Sequence, residues 1–435
     1  MVRSSLLLAG FAAIAAVHAA TKCSLDTHCP ESKPCCSQYG ECGKGAYCLG
    51  GCDPLSSFSR DSCVPAPVCK DQSYRFKDMT GITSKNKYLG DPTKTDWVMD
   101  GHAVPYKDSS LLLTMAPSTV GTVLATSRYM WYGNVKARFK TGRGRGVVTA
   151  FILLSDVKDE IDYEYVGVEL KKAQTNYYYQ GITNYTQGGN ISLSDTFNNY
   201  HDYEIRWTPD SITWLVDGQV GRTKLRKDTW NATSNQWAFP QTPARVQISI
   251  WPGGLASNAK GTIDWAGGVI DWSGPDIQAN GYYYAQFESV DIECYNADNA
   301  PGTNKKTSYT YNSDLGTNDT VVDGDKPTVL KSLRGTGTDM DANYPNAGNG
   351  ASRPESSGEA VIPGLSGAGP GTDGHPDENG STTSRVDGSD SDSDSGRAPV
   401  DGFSQGLPSG AAGGATWNVV SALVAGCAIF GMGML

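Results

Sequence analysis

Glu160, Asp162 and Glu164 stand two residues apart, interleaved with Ile161 and Tyr163 and followed by Tyr165. On a β-strand, side chains alternate faces with a period of two, so the three carboxyl groups share one face and Ile161 and Tyr163 the other. Read as a helix, the same acids would spread around the cylinder. Three like charges on one strand face repel, which raises the pKa of at least one of them and makes the arrangement a poor choice for stability. It suits glycoside hydrolysis with retention. That reaction needs two carboxyl groups about 5–5.5 Å apart, one to attack the anomeric carbon and one to protonate the leaving oxygen. Positions i and i+4 on a strand are roughly 13 Å apart at Cα, and two glutamates reaching inward on a curved strand close most of that gap. The acid between them can hydrogen-bond the nucleophile, and three acids with distinct roles hold their pKa values apart. The chemistry calls for no cofactor and no metal.

Residues 70–298 supply the elements that would position the acids. Aromatic and β-branched residues alternate with polar ones there, and Gly, Asn, Asp and Pro interrupt them about every ten residues. His201 to Trp207 and Ser211 to Gly218 read as a hairpin turning at Pro209-Asp210. No long helical periodicity appears. The pattern predicts one all-β domain, a sandwich or jelly roll. Trp131, Trp251 and Trp265 have flat apolar faces with polar edges suited to pyranose rings, although a core role is an equal alternative for each. Tyr132 and Thr262 are weaker candidates for sugar contact, and Trp207 and Trp214 read as core.

The flanks speak of export. Arg3, an apolar run from Leu6 to Val17 and His18-Ala19-Ala20 form a secretory leader over residues 1–20, with cleavage after Ala19 or Ala20. Eleven cysteines fit that route, nine of them between Cys23 and Cys69. Residues 21–52 are too few to build an adequate apolar core, so disulfides must hold them, and an oxidising compartment argues against zinc. Residues 53–69 read as a connector. Residues 299–409, rich in Gly, Ser, Asp, Asn and Thr, read as a disordered stalk. Small residues from Ser409 onward followed by an apolar tail to Leu435 resemble a lipid-anchor (GPI) signal, with 410–435 removed and Ser409 as the attachment residue. Sequons stand at Asn184, Asn190, Asn231, Asn318 and Asn379. A net charge of −10 makes nucleic acid a poor partner.

Two resemblances sharpen this reading. Cys35-Cys36-Ser37-Gln38-Tyr39-Gly40-Glu41-Cys42-Gly43 resembles the core of hevein-type chitin-binding modules. The resemblance implies that Ser37, Tyr39 and Tyr47 hold N-acetylglucosamine, with Glu41 in place of one stacking ring. It also implies the pairs Cys23–Cys36, Cys29–Cys42 and Cys35–Cys48. It leaves Cys52, Cys63, Cys69 and Cys294 open. Glu160-Ile161-Asp162-Tyr163-Glu164 resembles the signature of glycoside hydrolase family 16. That family implies a β-jelly roll with a concave cleft, Glu160 as nucleophile, Asp162 assisting and Glu164 as general acid/base. Met130-Trp131-Tyr132-Gly133, Gln174 to Tyr177, Ile248 to Gly254 and Gly261 to Gly268 are similar to the fungal Crh-type chitin–glucan transglycosylases. The expected reaction is cleavage of chitin with retention and transfer to β-1,3- or β-1,6-glucan, at the cell wall and the outer face of the plasma membrane. A chitinase or endo-β-glucanase using the same residues is the competing enzyme, and a wall-anchored carbohydrate-binding protein the competing non-enzyme.

Overall fold

The computed structural model describes residues 21–343 and two two-residue strands, Ala368–Gly369 and Thr372–Asp373. The leader, Asn379, Ser409 and the apolar tail lie outside the described residues. Among the described residues, no helix is long and apolar enough to cross a membrane.

The N-terminal module is built around β1 (Cys35–Cys36) and β2 (Cys42–Gly43), which pair antiparallel. Disulfides Cys23–Cys36, Cys29–Cys42, Cys35–Cys48 and Cys52–Cys63 hold it, and Cys69–Cys294 closes a loop of 225 residues in the main domain. In the chain-entropy picture a loop of that length is worth about 5.4 kcal/mol.

The main domain runs through β3 (Ala66–Pro67), β4 (Gln72–Arg75), β5 (Ile82–Ser84), β6 (Trp97–Asp100), β7 (His102–Tyr106) and β8 (Ser110–Met115). It continues with β9 (Thr122–Thr126), β10 (Gly133–Lys140), β11 (Val147–Ser155), β12 (Glu160–Val166), β13 (Lys172–Tyr178) and β14 (Gly189–Ser192). Next come β15 (His201–Trp207), β16 (Ser211–Val216), β17 (Gln219–Leu225), β18 (Trp230–Asn231), β19 (Gln236–Trp237) and β20 (Ala244–Pro252). Two six-residue helices follow, α1 (Lys260–Trp265) and α2 (Pro275–Asn280), then β21 (Tyr283–Cys294), β22 (Ser308–Tyr311) and β23 (Val321–Gly324).

Two eight-stranded sheets form a sandwich. One has the order β17-β16-β15-β10-β21-β8-β7, with β4 also on β21; the other has the order β14-β13-β12-β11-β20-β9-β6-β5. Phe139, Phe151, Tyr165, Tyr203 and Phe287 meet ring to ring between them. Trp207 and Trp214 are fully buried there as well. The β15–β16 hairpin turns at Thr208–Asp210, and β16–β17 turns on Asp217 and Gly218, both at positive φ. That is the backbone a tight two-residue hairpin demands.

Residues 299–343, expected as the start of the stalk, are folded, so the domain does not end at 298. β22 pairs with both β23 and β3, Tyr309 and Val321 are buried in the main core, and Leu330 packs into the module. These anchors are single apolar residues spaced through Gly-, Asp- and Thr-rich chain, and average composition conceals them.

Candidate active site

β12 holds its acids by what it buries on its other face. Ile161, Tyr163 and Tyr165 enter the core. The Tyr163 hydroxyl donates to the Leu215 carbonyl at 2.8 Å, and Trp214 Nε1 donates to the Asp162 carbonyl at 3.0 Å. The strand's entry is fixed by buried Asp159, whose carboxylate accepts from the Gln241, Thr242 and Gln180 amides and the Thr242 hydroxyl. Glu160, Asp162 and Glu164 are thereby turned together to the outer face of the second sheet.

Burial raises all three acids. The Glu160 carboxyl is pushed up to about 7 by loss of water, with a bond to Asp162 pulling the other way. Asp162 is pushed well up by loss of water, then by the charges of Glu160 and Glu164. Neither of its buried oxygens meets an N–H or O–H donor among the described residues. Two carboxylates in contact cannot both be ionised cheaply, so a single proton shared by the pair favours Asp162, the more strongly raised of the two. Glu164 is the most open of the three and is pushed up to about 8 by loss of water and then by Glu160. The three carboxyls are thus unequal in proton affinity, with Glu160 the first to lose its proton as pH rises and Glu164 holding its own longer, the order acid–base chemistry with a carboxylate nucleophile needs.

Asp162 and Glu164 floor a cavity of about 540 Å³ lined also by Gln174, Asn176, Tyr178, Tyr185, Asn190, Trp251, Thr262 and Trp265, among others, with Glu160 buried next along the strand. Trp251 and Trp265 stack with centroids 6.0 Å apart, and Trp265 Nε1 donates to Gln174 Oε1 at 2.7 Å. Thr262 and Trp265 reach the cavity together because they stand three apart on α1, on one helix face. Trp265→Ala, by removing the wall's outer ring, is expected to raise KM roughly tenfold, about 1.4 kcal/mol of binding, with a smaller change in kcat. An unchanged KM in steady-state kinetics would remove Trp265 from the site.

Trp131 and Tyr132 do not belong there. Both are buried in the core, Trp131 Nε1 donates to the Gln241 carbonyl at 2.9 Å, and Tyr132 packs edge-on against Trp207. Tyr132 takes a positive φ just before β10, which turns the pair inward. Residues absent from the sequence-based set take their place. Gln174, Asn176 and Tyr178 pair across β12–β13 with Glu164, Asp162 and Glu160 respectively. Asn176 Nδ2 donates to the Tyr178 hydroxyl at 2.7 Å, and that hydroxyl is pushed up by burial and then by the charges of all three acids. Tyr185, 66% exposed, offers a ring at the mouth. The signal for β13 was the same two-residue period as in the acids.

The sequons are placed unequally. Asn184 and Asn231 are exposed. Asn190 pairs with Gln174 on the edge strand β14 and lines the cavity, so a glycan on it would stand in the cleft. Asn318 is half-buried and its Nδ2 donates to the Tyr132 hydroxyl at 3.3 Å. In the module, Ser37 and Tyr47 are buried and Tyr39 is half-buried; the three do not form an open sugar platform.

Residues 91–267 match the model for "Glycosyl hydrolases family 16". "Crh-like protein 3" of Botryotinia fuckeliana is 67% identical over 342 residues, covering 79% of this chain and 76% of that protein. "Crh-like protein 2" of Aspergillus fumigatus is 49% identical over 353 residues, covering 80% of each. Among solved structures, "Crh5 transglycosylase in complex with NAG" matches with a TM-score of 0.50 at 29% identity, covering 62% of this chain and 99% of that one. With its jelly-roll sandwich and acid-bearing strand, this chain belongs to the Crh-like proteins, with a family 16 glycosyl hydrolase domain at its centre.

Proposed function

We propose that the protein is a retaining transglycosylase of the fungal cell wall that cuts chitin and joins the cut chain to β-1,3- or β-1,6-glucan. The carrying observation is the row of three acids on one face of β12, two of them at the floor of a tryptophan-walled cleft, with Glu160 the least raised of the coupled carboxyls. Glu160 attacks the anomeric carbon while Glu164 gives its proton to the departing glycosidic oxygen, leaving a glycosyl ester on Glu160. Asp162, by donating to Glu160, moderates its charge before attack and steadies it as it leaves. A glucan hydroxyl then loses its proton to Glu164, attacks the same carbon and releases Glu160. The stack of Trp251 and Trp265 offers an apolar face to the sugar rings. An N-acetylglucosamine donor is supported by the related structure that holds NAG. The leader, the Ser409 signal and the long polar stretch before it support secretion and a GPI tether at the membrane, with Asn184 and Asn231 as the glycan sites best placed in space.

The test is product analysis with a chitin donor and fluorescent glucan oligosaccharides. A labelled product heavier than the acceptor is expected. New reducing ends without labelled product would instead make the enzyme a hydrolase, a chitinase or endo-β-glucanase using the same residues.

A further inference from the structure

Tyr185 and Asn190 reach the cleft from a hairpin, β13 to β14, that also carries Gln174, Asn176 and Tyr178. This arm supplies one wall of the cavity, yet its own sheet holds it on one side only. β14 is a four-residue edge strand paired with β13, and the second sheet ends there. The turn Tyr185–Gln187 buries none of its residues. An edge with so little buried surface has little of its own to fix it.

What fixes it comes from the other sheet. β17 is the edge strand of the first sheet, and Arg222 stands on it opposite Trp214 of β16. Arg222 Nη1 donates to the Thr175 carbonyl and to Thr175 Oγ1, each at 2.9 Å, and Nη2 donates to the Gln187 carbonyl. One planar fork thus holds both the middle of β13 and the end of the turn. The Thr175 hydroxyl passes the hold on by donating to the Gly189 carbonyl at 3.1 Å. The guanidinium lies 4.6 Å from the centre of the Trp214 ring and 6.0 Å from that of Tyr177, flat faces that suit it. The contact leaves no spare room. A Cβ on Gly189 would stand 3.2 Å from Arg222 Cδ, and one on Gly221 only 2.4 Å from Ile191 Cδ1 of β14.

Thr175 and Tyr177 alternate with Gln174, Asn176 and Tyr178, so they belong to the inner face of β13. Arg222 therefore grips the arm from behind the cleft wall. Register then carries the grip to the acids: Asn190 pairs with Gln174, and Gln174 with Glu164. We propose that Arg222 is the positioning residue for this wall, tying Thr175 and Gln187 to the first sheet so that Tyr185 and Asn190 stand where sugar rings meet them. The acids have separate anchors in Asp159, Tyr163 and Trp214, so loss of the tie moves the wall and spares the chemistry. The inference deepens the transglycosylase reading, and rests on it for the class of polysaccharide alone.

Steady-state kinetics of the full chain on chito-oligosaccharides, scoring every cut chain whether transferred or hydrolysed, test it. Arg222→Ala is expected to raise KM about tenfold, as loss of a buried charge-assisted hydrogen bond does. Its kcat stays within about threefold of the parent's, because the transition-state contacts are kept. Arg222→Lys keeps the charge without the fork; its KM stays raised, and it keeps the test open if Arg222→Ala does not fold. Gly189→Ala presses on the guanidinium from the arm's side and raises KM too. Joined to Arg222→Ala it adds nothing further, since both act on one contact. An unchanged KM in folded Arg222→Ala, a parent-like KM in Arg222→Lys, or additive effects in the double variant overturns the assignment. So does a kcat that falls as far as KM rises, which would place Arg222 with the acids. β-1,3-glucan oligosaccharides run in parallel. Turnover of glucan alone makes the donor class wrong, and Arg222 is then judged on that substrate. If neither is turned over, the transglycosylase reading fails, and the variants' Kd values for the same oligosaccharides decide on Arg222.

Discussion

Replacing Glu160 by Gln lowers turnover on the order of 10⁴-fold or more, as loss of a covalent nucleophile does elsewhere, while oligosaccharide binding persists. Gln keeps the shape of the side chain at the end of the Asp159-anchored turn, so the strand has no reason to move. No neighbouring carboxylate can take over. Asp162 is buried, its carboxyl is pushed well up by loss of water and the neighbouring charges, and no N–H or O–H donor among the described residues stabilises its anion, and Glu164 must stay protonated to release the leaving group. The measurement is single-turnover kinetics on a chito-oligosaccharide, with mass spectrometry to look for a glycosyl ester. Normal turnover by the folded variant, or an ester carried by Glu164, would refute the assignment of Glu160 as nucleophile.

Glu164→Gln makes a second prediction, whose two readouts move in opposite directions. Activity falls by about 10²–10⁴-fold, the usual worth of a positioned general acid and base, and the alkaline limb of the pH–rate profile goes with it. Stability rises. The folded protein raises the Glu164 carboxyl from an ordinary 4.5 to about 8. Between those values the folded state holds more protons than the unfolded chain, so stability declines as pH climbs through that window. A neutral Gln carries no such penalty. At pH 4 the variant and the parent melt alike, and at pH 8 the variant melts higher, by roughly 2–4 °C for each kcal/mol recovered. A variant that melts lower at pH 8 would mean that Glu164 is not raised by burial. The acids are thus a cost to the fold that function retains.

The all-β architecture and the acid row were legible because a two-residue alternation is written directly into the chain. Ile161 and Tyr163 mark the buried face as clearly as Glu160 and Glu164 mark the open one. The same alternation in Gln174, Asn176 and Tyr178 marks a strand but not a site, because polar and aromatic residues on a strand look like any solvated face until the neighbouring strand is known. Trp131 and Tyr132 were misplaced for the complementary reason: a tryptophan suits a sugar and a core equally, and only the positive φ of Tyr132 shows which way the pair turns. Trp251 and Trp265 meet through a loop and a six-residue helix, a geometry no local pattern encodes. The docking of the module was least visible, since Ser37, Tyr39 and Tyr47 have one spacing whether their face is open or packed.

The late fastening of the module has a consequence in time. The module belongs to the first part of the chain, yet Leu330, Gly335 and Gly337, which help to fasten it, come from far along it. A chain made from its N-terminus folds in the order it emerges. The disulfides can close the module early and the sheets can form next, but the module's last fastenings close only when the stretch from residue 330 arrives. Until then the nascent enzyme has its acids in place beside a module not yet fully fastened. A chain cut short at residue 298 would be arrested at that stage.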